Sequence, residues 1–176
     1  MIRSIIKSLG ELRISGRSPD DRIYGVLVRS DNVEISFKPN SYYDYEAPEL
    51  EYQLSRMLDL LQINQIRQRR ELLTEGGLSV RDLQTPHWNA KMRRLAEYRQ
   101  SIAAIGLSKE DGLSIGTVGG VGFDVKVTPE CLRDLDELEF QVAFSEAVQD
   151  MYSDFMSQFK DYKRDIYGLS KYEPKK

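Results

Sequence analysis

Histidine, cysteine and tryptophan each occur once in the 176 residues, a scarcity that closes off most chemistry before any motif is sought. The lone Cys131 permits no disulfide within the chain and no zinc cage, which needs about four ligands. A small thiol just after a strand-ending proline reads as a buried core residue rather than a nucleophile. His87 follows Thr85-Pro86, where it most simply lies in an exposed first helical turn, and no partner constellation for catalysis is readable around it. Long apolar runs are missing as well: nothing approaches the roughly twenty residues of a membrane span, and "MIRSIIKSLGEL" has no apolar core of signal-peptide length. The expectation is a non-enzymatic cytoplasmic protein with no cofactor, no metal and no membrane contact. A net charge of −3 and a pI near 5.4 exclude a polybasic binder, so any nucleic-acid contact must come from a local patch.

What is present is repetition. "ELEYQL" at 49–54 returns as "ELEFQV" at 137–142, eighty-eight positions later. Upstream, "NVEISFKP" ends at Pro39 and "GFDVKVTP" at Pro129, an offset of ninety that also pairs Gly16 with Gly106, Ser18 with Ser108, Asp21 with Asp111 and Val28 with Val118. The order of features is the same twice, which predicts two similar units: 1–77, a linker at 78–84, and 85–176. The expected fold class is α+β, each unit a three-stranded antiparallel meander flanked by helices.

In the first unit a short leading helix over 2–9 is followed by strands in "ELRISG", "RIYGVLV" and "NVEISFK", where Val33, Ile35 and Phe37 alternate with polar residues. "SPDD" and "SDN" supply the turns. Pro48 opens a helix whose Leu50, Leu54, Met57, Leu58, Leu61 and Ile66 recur at helical spacing to about Leu73. In the second unit Thr85 and Pro86 open a helix carrying Trp88, Met92, Leu95 and Ile102 and ending near Gly106. A short extended piece near Ala104–Leu107 and the strands "GLSIGTV" and "VGFDVKV" follow, the last two joined by Gly119-Gly120. Asp134 and Glu137 have capping-box spacing before a helix carrying Leu138, Val142, Ala147, Val148, Met151 and Phe155 to about Asp165, with a frayed tail from Gly168.

Two apparent sites are more simply turns. "GTVGGVG" lacks the Lys-Ser/Thr of a phosphate loop and reads as a hairpin. The acidic pairs Asp20-Asp21 and Glu110-Asp111 fall in exposed turns rather than forming catalytic dyads.

Two features suit a binding role. Arg67, Arg69 and Arg70 end one long helix while Lys91, Arg93, Arg94 and Arg99 decorate the next. Taken alone this is a solvated face favoured by the helix dipole. If the clusters converge, seven cations can follow a phosphate backbone without reading bases. Tyr152, Phe155, Phe159 and Tyr162 form a stripe on the last helix that is either core or, in its distal half, a partner interface.

The units "SPDDRIYGVLVRSDNVEISFKP" with "PELEYQL", and "SKEDGLSIGTVGGVGFDVKVTP" with "DELEFQV", resemble the YbaB/EbfC nucleoid-associated family. The resemblance implies two tandem diverged units, forming within one chain the pseudo-twofold pair that single-unit members make by dimerising. It implies weakly sequence-selective binding of double-stranded DNA and nucleoid association. Diverged relatives that look like accessory or chaperone proteins of type VII secretion imply the alternative, a module for a protein partner or self-association.

Overall fold

The computed structural model describes residues 13–28, 31–75, 89–109 and 112–168. The expected leading helix over 2–9, the 78–84 linker, Thr85 to Trp88, Glu110-Asp111 and the tail beyond Gly168 lie outside the described residues.

The chain is α+β, with two three-stranded antiparallel sheets, each in sequential order. The first sheet comprises β1 (Arg13–Arg17), β2 (Ile23–Val28) and β3 (Asn32–Phe37); helix α1 (Ala47–Glu75) follows after a 3-10 turn at Tyr42–Asp44. Helix α2 (Ala90–Ser101) precedes β4 (Ala103–Leu107), β5 (Leu113–Val118) and β6 (Val121–Val127), and the chain continues into α3 (Pro129–Asp134) and α4 (Glu137–Tyr167). Alternation decides the sheet faces: Ile14, Ile23, Leu27, Val33, Ile35 and Phe37 point inward from one sheet, Ala104, Leu113, Ile115, Phe123, Val125 and Val127 from the other. All of them join one hydrophobic cluster with the helices.

The repeat holds at ninety residues through the strands and the buried helix faces, apart from a one-residue register shift at Thr117/Val118 in the second hairpin. Strands β1 and β4, and β2 and β5, have bounds ninety apart, and the pairing Ile23↔Phe37 recurs as Leu113↔Val127. On α1 the buried set includes Leu50, Gln53, Leu54, Met57, Leu58, Leu61 and Gln65; on α4 it is Phe140, Ala143, Phe144, Ala147, Val148, Met151 and Phe155, the same pattern at the same offset. This corrects the sequence reading of the "ELEYQL" echo. At its offset of eighty-eight, Leu50 and Leu54 are fully buried while their matches Leu138 and Val142 are 71% and 59% exposed. The echo is two residues out of structural register, about 200° around a helix, and marks no shared role.

Three further expectations change. The helix expected to end near Gly106 stops at Ser101, with Asn89 as its N-cap, because Ile102 is already extended and Gly106 sits within β4. The capping box is Asp136 with Glu139, not Asp134 with Glu137, since extended Leu135 separates α3 from α4. Gln65 takes the inward position on α1, while Ile66 turns out. The Gly119-Gly120 hairpin matches its expectation, both residues at φ near +70°. A Cβ at Gly119 would also lie 2.8 Å from the Gln100 carbonyl oxygen.

Each long helix packs on both sheets, and each also closes one edge of the second sheet with a polar ladder. Phe123, Val125 and Val127 donate their outward N–H groups to Asp59 Oδ1, Ser55 Oγ and Glu51 Oε1 on α1, at 3.0, 3.0 and 2.9 Å. At the opposite edge Ile105, Leu107 and Lys109 donate to Asp154, Asp150 and Glu146 on α4, at 3.2, 2.9 and 3.4 Å. Acceptors four apart on a helix advance about 6 Å and alternate strand residues about 6.6 Å, so the two ladders match. Both edges of the second sheet are thereby closed to further strands.

Candidate functional site

Helix α1 is 29 residues and α4 is 31, about 43 and 46 Å, while the strands span only about 17–23 Å. Each helix therefore carries a distal part past the last buried side chain, Gln65 on α1 and Phe155 on α4. Between these parts lies a groove of about 990 Å³, also lined by Asp31 in the turn before β3, Thr117 on β5 and Gly120 in the β5–β6 turn.

The groove is lined by cations and neutral donors. Arg69 enters from α1, Arg99 from α2, and Lys160 and Arg164 from α4; Asp31 and Asp161 are the carboxylates. Arg164 pairs with Asp161 at 3.5 Å. The excess is positive in a chain whose net charge is −3. Gln62, Ser153, Ser157 and Tyr152 add donor groups to the walls. Burial pushes the Tyr152 phenol up to about 12, so it stays protonated and able to donate. Such a surface suits an extended anion: fixed guanidinium and ammonium groups for charge, amides and hydroxyls for the remaining oxygen lone pairs.

Of the seven cations singled out in the sequence, Arg69 and Arg99 come together here. Arg67 and Arg70 lie on the outer face of α1, along a separate groove of about 580 Å³ shared with Ile63 and Ile66, and Arg67 stands 4.0 Å from Glu71. Lys91 caps the ring of Tyr167, 5.5 Å from its centroid. Arg93 and Arg94 are exposed on α2. The two clusters thus converge through one member each, because residues 67 and 70, three apart, share the outer face of α1 while 69 lies about 200° and 100° around the helix from them.

The aromatic stripe is engaged within the chain. Phe155 is a core residue, Phe159 packs against the core with the Arg99 guanidinium 5.9 Å from its centroid, and Tyr162 stacks on Tyr98 at 3.7 Å. Tyr152 alone of the four reaches the groove with its ring only part buried. Sequence reasoning missed Lys160 and Arg164. Their signal was present: with Ser153 and Ser157 they make a polar row at helical spacing beside the aromatic one.

Cys131 is buried, as its sequence context predicts. Asp20 and Asp21 serve the β1–β2 turn. The Ser18 and Tyr45 hydroxyls and the Arg22 N–H all donate to Asp20. Asp21 accepts from Arg17 and Lys38, both at 2.7 Å. Among the described residues no group of three or more His, Cys, Asp or Glu side chains could hold a metal ion, and no helix is long and apolar enough to cross a membrane. Comparison with protein-family models, with curated proteins and with solved structures finds no match for this chain.

Proposed function

We propose that this protein is a non-enzymatic, weakly sequence-selective DNA-binding protein that grips the phosphate backbone in the groove between α1 and α4. The observation that carries the reading is the convergence of Arg69, Arg99, Lys160 and Arg164, from three helices, on one groove in an otherwise acidic chain. Cations from three helices spread along one groove favour contact with a phosphate backbone. The resemblance to the YbaB/EbfC family supports the same reading, with the two units acting as an internal pseudo-dimer on the nucleoid.

The test is fluorescence anisotropy of a labelled random-sequence duplex titrated with the protein across a salt series. About four phosphate contacts give a slope of log K against log salt of about −3 to −4. Charge reversal of Arg69, Arg99 and Lys160 together is expected to abolish binding, while Arg67→Glu with Arg70→Glu weakens it far less. No binding of the unaltered protein at low salt overturns the proposal.

A second reading has its own observation. Tyr52, Leu60, Ile63 and Ile66 leave an apolar stripe exposed along the outer face of α1, the kind of surface a protein partner covers. A module of the secretion-accessory kind would use that stripe, and Ile63→Lys would then abolish partner capture while leaving DNA binding intact.

A further inference from the structure

The outward face of the second sheet is aliphatic along its edge strand β4, where its repeat partner β1 is polar. On β4 it presents Ile105 and Leu107, 62% and 60% exposed, and on β5 Val118, 57% exposed. Ninety residues earlier the same positions are Ser15, Arg17 and Val28. The strand registers align Ile105, Gly116 and Asp124 in one row across the sheet and Leu107, Ser114 and Lys126 in the next. The face therefore has a profile: an aliphatic ridge on β4, a trough over Gly116 and Ser114 on β5, and a charged row on β6. A Cβ built on Gly116 meets nothing nearer than 3.9 Å, so the trough is open.

We propose that this face is where a second copy of the chain docks, sheet against sheet. A twofold axis parallel to the strands and midway between β4 and β5 lays the ridge of each copy over the trough of the other. Ile105 then seats on Gly116 and Leu107 on Ser114, in both directions at once. That self-complementarity is what an isologous interface requires. The same axis carries Asp124 and Lys126, which are 3.1 Å apart, to the rim, leaving an apolar centre and a polar border. The two helix ladders close both edges of this sheet, which removes edge-to-edge pairing and leaves the face as its route to association.

The first sheet has the opposite relief and cannot pair in this way. Its centre strand fills the trough positions with Tyr24 and Val26, and its edge strand carries Ser15 and Arg17 where the second sheet has its aliphatic ridge. An isologous face of this kind closes at two copies. A three-stranded face is smaller than the roughly 800 Å² per partner of a standard interface, so the dimer forms in a concentration-dependent equilibrium.

Sedimentation velocity of the full chain, from low to several hundred micromolar, is the experiment. The unaltered protein is expected to shift from monomer to dimer and no further. Leu107→Lys, which places a charge in the apolar centre, and Gly116→Val, which fills the trough, are each expected to remain monomeric with unchanged thermal unfolding. Val28→Lys, on the outward face of the first sheet, is expected to dimerise normally. A monomer at every concentration, a dimer that survives both Leu107→Lys and Gly116→Val, or a continuing series of larger oligomers overturns the proposal. Salt-dependent DNA binding by a monomeric Leu107→Lys variant separates this outcome from that of the groove.

Discussion

The backbone N–H of Val125 donates to the Ser55 hydroxyl across 3.0 Å, joining the edge of the second sheet to the helix that follows the first. Glu51 and Asp59 repeat that contact one helical turn to either side. Helix α1 and the second sheet are thus held together by hydrogen bonds of the kind that normally close a sheet, with helical side chains in place of a fourth strand.

Truncating this ladder should destabilise the whole chain. Ser55→Ala leaves the partly buried Val125 N–H without its acceptor, a loss of about 1–3 kcal/mol. Urea unfolding checks it, and a single transition moving to lower urea is expected because both sheets share one core. Equal midpoints for Ser55→Ala and the unaltered protein would show that water replaces the hydroxyl without cost.

Gly106 and Gly116 lie on neighbouring strands and should respond in opposite ways. A Cβ at Gly106 would fall 2.0 Å from the Ala147 carbonyl oxygen and 2.2 Å from the Met151 nitrogen, so α4 must move off β4. Gly106→Ala is expected to cost several kcal/mol, or to prevent folding, as backbone overpacking does. Gly116→Ala meets open space and should leave stability equal or slightly higher, because glycine weakens a strand interior. Thermal melts of the two variants decide the comparison.

The register of the repeat makes a contrast between two leucines. Leu50→Ala opens a cavity at a fully buried position and should cost about 2–5 kcal/mol. Leu138→Ala, its partner in the "ELEYQL" echo, is 71% exposed and should stay within about 0.5 kcal/mol of the unaltered protein. Comparable losses at both would restore the eighty-eight-residue register.

Acid should weaken the fold through its turn and ladder carboxylates. Hydrogen bonds from Lys38 and Arg17 hold Asp21 down to about 2, and Lys109 holds Glu146 below its usual range. Partial burial opposes the charge of Asp20, but hydrogen bonds from Ser18, Tyr45 and Arg22 outweigh it and lower that carboxyl too. Depressed folded values mean that the unfolded chain binds protons first. The stabilisation is therefore complete above the ordinary carboxylate range near 4 and is lost as pH falls toward about 2. Melting temperatures recorded from pH 7 down to 2 should fall chiefly in that last interval, with a shallower fall in Asp21→Asn. An identical fall in that variant would remove Asp21 from the account.

Much of the fold was legible because its causes are local. Val33, Ile35 and Phe37 alternate, Gly119-Gly120 can adopt positive φ, and Leu50, Leu54, Met57, Leu58 and Leu61 share a helix face whatever surrounds them. The errors came where two local readings competed. "DELEFQV" offers both a Leu138/Val142 face and a Phe140/Phe144 face, and only packing against the sheets selects the second. The site was less legible still: Arg67, Arg69 and Arg70 look equivalent in the sequence, and only the α1 register turns Arg69 into the groove.

The sequence by itself determined the α+β class, the strands and their hairpins, since these depend on periodicity and turn chemistry. The tertiary structure alone decided that Glu51, Ser55 and Asp59 close the edge of a sheet more than sixty residues away, and that Lys160 and Arg164 meet Arg69 and Arg99. Those pairings depend on how two amphipathic helices lie across a shared core, a relation between distant segments that no local window contains.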